Sequence, residues 1–98
     1  MSYTVKLLQQ RNSTNIDFFS WSDNVIKKME EYKSSGRIIS YNSSDISEDK
    51  LIKTMVITFN SLDDYTLATN EAVFIDAAVS RKAYCDKHSI SWSLEQVD

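Results

Sequence analysis

Apolar and polar residues alternate from the start of the chain. Tyr3, Val5 and Leu7 share one parity and Thr4 and Lys6 the other, which predicts a half-buried strand over 3–10. The polar run from Asn12 to Asp17 predicts a loop. The period then changes. Trp21, Val25, Met29 and Tyr32 recur at i, i+4, i+8 and i+11, one stripe of a helix, and Ile26 widens it. Ser20 precedes the stripe with Asp23 three residues on, the spacing of a capping box. Gly36, the one glycine, comes just after it and suits the left-handed residue that closes a helix.

The second half repeats this alternation of periods. Arg37 to Tyr41 reads as a short strand and Asn42 to Lys50 as a polar loop. Leu51 to Phe59 is the clearest strand: Leu51, Met55, Ile57 and Phe59 lie on one face, Ile52, Thr54, Val56 and Thr58 on the other. Ser61-Leu62-Asp63-Asp64 starts a second capped helix, with two acids where the helix dipole favours them. Asn70-Glu71 marks an interruption or kink, and a longer helix follows over 72–88 with a wide apolar arc. Ile90, Trp92 and Leu94 alternate with serines and Glu95 as a last strand.

The order is strand, helix, strand, strand, helix, strand, with no internal repeat and no linker. It predicts one α+β domain over 1–98. The expected fold is ferredoxin-like βαββαβ, a four-stranded antiparallel sheet with two helices on one face. An irregular α+β fold of the same content is the alternative.

Two helices cover one face of such a sheet, so the side chains of the other face can be named. Thr4, Lys6 and Leu8, then Ile52, Thr54, Val56 and Thr58, then Ser89, Ser91 and Ser93 fall there. Water-facing sheet surfaces carry Lys, Glu, Gln and Arg; this one is almost free of charge, as protein-binding surfaces are. Thr4, Leu8, Ile52, Thr54, Val56 and Thr58 are therefore the expected interface. A second copy, giving a two-fold homodimer, is the expected partner, with a larger protein assembly as the other.

Phe59-Asn60-Ser61-Leu62-Asp63-Asp64-Tyr65, together with Arg81-Lys82-Ala83-Tyr84, is similar to the strand-then-capped-helix and the last helix of the dimeric ferredoxin-like α+β barrel superfamily. The resemblance spans the whole element order. It implies a fold and a dimer more than an activity, because the superfamily holds small monooxygenases, haem-degrading enzymes and non-catalytic proteins.

Composition narrows the function classes. One cysteine excludes a disulfide framework and a Cys-based zinc site, and one glycine with no proline excludes a Gly-rich phosphate loop. A net charge of −3 argues against nucleic acid, because Lys27-Lys28 and Arg81-Lys82 sit beside acids rather than in a basic field. The central strand also lacks the aromatic and Lys/Arg-Gly-aromatic pattern of an RNA-binding sheet. No apolar run is long enough for a signal peptide or a membrane span, which places the expected location in the cytoplasm. The lean towards Ile, Lys, Asn, Tyr and Ser is that of an AT-rich genome, so a virion-associated or accessory phage component is among the readings.

No catalytic signature, cofactor motif or metal-ligand spacing stands out. The acids Asp45, Glu48 and Asp49 lack the glycine and spacing of a calcium loop. Cys85 and His88 share a side of the last helix, and Arg81 stands four residues before the cysteine. A thiolate nucleophile would use that arrangement; a buried cysteine and a helix-ending histidine are the stronger explanation. A ligand pocket between that helix and the sheet would be lined by Arg81, Tyr84, His88 and Trp92. The leading expectation is a non-enzymatic, homo-oligomeric assembly module using its open sheet face. The alternative is a small monooxygenase-like enzyme or ligand-binding dimer with its pocket near His88.

Overall fold

The computed structural model describes residues 1–97, with nothing stated for the side chains of Ser43 and Ser44. Seven elements follow in order: β1 (Tyr3–Gln10), α1 (Asp23–Ser34), β2 (Ile38–Ile46), β3 (Ile52–Phe59), α2 (Leu62–Thr69), α3 (Ala72–Lys87) and β4 (Ser91–Gln96). The strands form one antiparallel sheet in the order β2-β3-β1-β4. Val5 pairs with Ile57 and Leu7 with both Met55 and Leu94, which puts the odd-numbered residues of β1 and β3 on one face. All three helices pack on that face. Val25, Met29 and Tyr32 of α1, Ala68 of α2 and Phe74 and Ala77 of α3 meet Val5, Ile38 and Phe59 in a single core.

The α+β class and the positions of β1, β3 and β4 follow the hydrophobic pattern, with Leu51 and Ile90 just outside the strands expected to hold them. Four local expectations change. The cap of α1 is Ser22, not Ser20: its Oγ accepts from the Val25 N–H at 3.4 Å. Two serines straddle Trp21, and the helix starts at the one that lets Val25 turn inward. The run 42–46, expected as loop, extends β2 to Ile46, pairing Asn42 with Val56 and Asp45 with Thr54 across two register irregularities. The interruption expected at Asn70-Glu71 is a full break, so three helices rather than two cover the face. Asn70 ends α2 with its side-chain amide donating to the Thr66 carbonyl at 2.9 Å, and Glu71 is extended (φ −77°, ψ 130°) before α3 begins. Ser89 lies outside β4, at φ +57°, in the turn that returns the chain from α3.

Two caps hold as expected. Ser61 Oγ accepts from the Asp64 N–H at 3.1 Å and donates to its carboxylate at 2.9 Å. Gly36 takes φ +83°, and the Arg37 N–H beyond it donates to the Tyr32 carbonyl at 2.9 Å, closing α1.

The break before α3 also ties α1 down. Tyr32 is 3% exposed, and its hydroxyl donates to Glu71 Oε1 at 3.2 Å. Burial, and then the Glu71 carboxylate, push the Tyr32 pKa up to about 12. The neutral phenol is the form the fold holds, so its stabilisation is complete below the free value near 10 and is lost as pH rises from about 10 to 12. Chemical denaturation between those pH values should show a fall of up to about 2–3 kcal/mol. Tyr32→Phe should flatten that fall, and an unchanged slope in the variant would assign the loss to other groups.

Candidate functional site

Two features of the fold stand out as sites: the bare face of the sheet and a cavity beneath the helices. The bare face comes first from strand register. Thr4 pairs with Thr58, Lys6 with Val56, Leu8 with Thr54 and Gln10 with Ile52, so the six expected interface residues do share one face, opposite the helices. Each is half-buried, screened by its neighbours along and across the strands. The Thr4 and Thr58 hydroxyls hydrogen-bond each other at 3.2 Å, a cross-strand pair that meets part of its own polar need. The charges are sparse and opposed. Lys6 on the central strand β1 stands opposite Glu95 of the edge strand β4, and Asp45 lies on the other edge strand, β2.

The second feature lies between the layers. A cavity of about 320 Å³ opens between the helix-facing side of β1, β3 and β4 and the three helices. Its wall is apolar, with Val25 and Met29 from α1, Ile57 and Phe59 from β3, and Ala77 and Ala78 from α3 among its members. It exists because the wide apolar arc of α3 is not fully used. Small residues at 77 and 78 leave space over the sheet, while Ile75 and Val79 remain 46% and 65% exposed at the rim, with Leu94 of β4 at 45%.

Arg81 is the charged member of that wall. Its guanidinium lies over the Trp92 ring at 4.8 Å. Its Nε is buried without a hydrogen-bond partner, and among the described residues no ion pair uses this side chain. Burial works against its charge and draws its pKa below the usual value.

The four expected pocket residues therefore divide into two pairs. Arg81 lines the cavity, and Trp92, outside its wall, packs against the guanidinium. Tyr84 and His88 stack on each other at 4.4 Å, and the Tyr84 hydroxyl donates to the Asp17 carbonyl at 2.7 Å. Tyr84 lines a different, open cleft of about 620 Å³ with Arg11, Phe18, Phe19 and Lys53. Burial lowers the Lys53 pKa there. His88 is the residue that ends α3, its backbone N–H donating to the Tyr84 carbonyl.

The Cys85 thiol is fully buried, and burial raises its pKa despite Arg81 nearby, the reverse of an activated nucleophile. Asp49 is spent on the β2–β3 turn, accepting from Ser47 Oγ at 2.6 Å and the Leu51 N–H at 3.0 Å. Among the described residues no cluster of three His, Cys, Asp or Glu is placed to hold a metal. No helix among them is long and apolar enough to cross a membrane.

Gln9 was outside the sequence expectations. It is 1% exposed on the helix-facing side of β1. Its amide accepts from the Phe19 N–H at 2.9 Å and donates to the Phe19 carbonyl at 3.2 Å, clamping the β1–α1 loop that walls the open cleft. Its odd-numbered position placed it inward; its polarity concealed that.

No family model matches the chain, and no curated protein matches it. A crystal structure of a conserved protein of unknown function from Bacteroides thetaiotaomicron VPI-5482, described as a possible oxidoreductase, is similar in fold. The TM-score is 0.63 at 13% identity, over 98% of this chain and 95% of that one. At that identity the likeness is one of fold alone.

Proposed function

We propose that the chain is a non-enzymatic assembly module of the ferredoxin-like type that pairs with a second copy through its open sheet face. The observation that carries this reading is the composition of that face. Its two central strands present Thr4, Leu8, Ile52, Thr54, Val56 and Thr58, with Lys6 as their single charge. Sheet faces of this kind bury area without stranding charges. Lys6 on the centre and the acids Asp45 and Glu95 on the two edges leave each copy of the face one net negative charge, carried at the edges and away from the apolar centre. Light scattering at micromolar concentration is expected to give twice the chain mass of 11.3 kDa. A mass of one chain across that range overturns the reading.

A second reading, a small ligand-binding or monooxygenase-like dimer, is favoured by the apolar cavity that Arg81 borders. It moves the pocket away from Tyr84 and His88, which engage each other and the β1–α1 loop.

A further inference from the structure

Arg81 poses a problem that the fold does not solve internally. A guanidinium withdrawn from water is costly unless an anion or a set of acceptors meets it. Here one flat side is occupied by the Trp92 ring, and Nε is closed off from solvent without an acceptor. The ion pairs of the described residues join Lys28 to Glu31, Arg37 to Asp64 and Lys82 to Asp86, leaving Arg81 out. The same side chain borders a cavity whose other wall residues are apolar but for Thr69. Arg81 is half-buried and is the one charged residue of that wall, so an anion is the group that complements it, and the space behind is suited to hydrocarbon.

We propose that this cavity binds an amphipathic monoanion, an aliphatic or aryl-alkyl carboxylate, with the carboxylate on the free edge of Arg81 and the tail between the sheet and α1 and α3. Arginine meets a carboxylate through paired N–H donors, which supplies both orientation and strength. The volume sets the size. At about 30 Å³ for each heavy atom of a liquid, 320 Å³ takes roughly ten non-hydrogen atoms, at the small end of ligand sites. An eight-carbon acid has that size. Ile75, Val79 and Leu94, exposed at the rim, give an apolar tail its way in. The cavity lies within one chain, so the inference does not depend on the dimer.

Octanoate, 1-octanol and the native chain make the test, read by titration calorimetry and by the fluorescence of Trp92 and Trp21, the latter in the cavity wall. Octanoate is expected to bind once per chain with Kd on the order of 10–100 µM, the range of good small ligands of this size. Octanol, which keeps the tail and lacks the charge, should bind roughly 10- to 100-fold more weakly, the worth of a charged hydrogen bond. Arg81→Gln should bring octanoate down to the octanol level and leave octanol unchanged. Equal binding of the two probes by the native chain overturns the proposal, as does octanoate affinity unaffected by Arg81→Gln or absence of saturation below ~1 mM. Should Arg81→Gln fail to fold, the comparison of the two probes on the native chain decides alone. Ala78→Leu, which fills the cavity, adds an arm that keeps the charge: octanoate binding is lost while the melting temperature holds or rises.

Discussion

Val56→Lys is expected to convert the proposed dimer into a folded monomer. Val56 sits at the middle of β3, a central strand, paired with Lys6 on one side and Asn42 on the other. In the isolated chain the new ammonium has water above it. The cost there is like-charge opposition to Lys6, about 0.2–1 kcal/mol for a directly opposite pair. In a two-fold dimer the substitution enters twice, and each charge is taken out of water against Thr and Leu, at several kcal/mol apiece. The dissociation constant should therefore rise by at least roughly a thousandfold, while the melting temperature of the monomer falls by a few degrees. Sedimentation equilibrium and a circular-dichroism melt separate the two effects. A variant that stays dimeric at micromolar concentration would place the interface elsewhere on the molecule.

Gln9→Leu is expected to be the most damaging conservative substitution in β1. The side chain is similar in size and the site is already closed to water, so packing changes little. What is lost is the pair of hydrogen bonds to the backbone of Phe19. The Phe19 N–H is left without its partner, at about 1–3 kcal/mol; its carbonyl keeps only Lys53 Nζ, at 3.4 Å. A melting temperature lower by about 8–15 °C follows for a net loss near 2 kcal/mol in a domain of this size. Amide exchange should localise the damage, with protection lost first at Phe19 and along the β1–α1 loop. A variant that melts with the native chain would show that Arg11, which donates to the Ile16 and Lys50 carbonyls, holds the loop by itself.

The strands that face the core announce themselves because burial imposes a period. Tyr3, Val5 and Leu7 alternate, as do Met55, Ile57 and Phe59, and the structure seats both sets under the helices. The far half of β2 does not announce itself. That run belongs to an edge strand in which Asn42 and Asp45 are exposed, so no apolar period is required there. Gln9 occupies an inward position but reads as polar, and only the backbone of a loop ten residues away gives it a reason to be buried. The pocket residues show the same limit from another side. Helical spacing puts Arg81, Tyr84 and His88 near one another along α3. It does not say that the sheet lies opposite Arg81 and the β1–α1 loop opposite Tyr84, and that difference decides which of them borders the cavity. The open face was the most legible of the candidate surfaces, because strand parity alone determines it.

The two irregularities in β2 make the ends of the sheet unequal. On that side the pairing with β3 slips between Ile38 and Ser40 and again between Asn42 and Asp45. Displaced backbone groups on an outermost strand disrupt the regular ladder that an incoming strand needs. The opposite end, β4, runs in unbroken register with β1 from Ser91 to Gln96. Lengthening of the sheet by further chains thus has one receptive end, not two. Two molecules joined β4 to β4 would consume both receptive ends and present only irregular ones outward. An edge-to-edge pair of that kind leaves a third chain no regular edge to join, an obstacle of geometry rather than of charge.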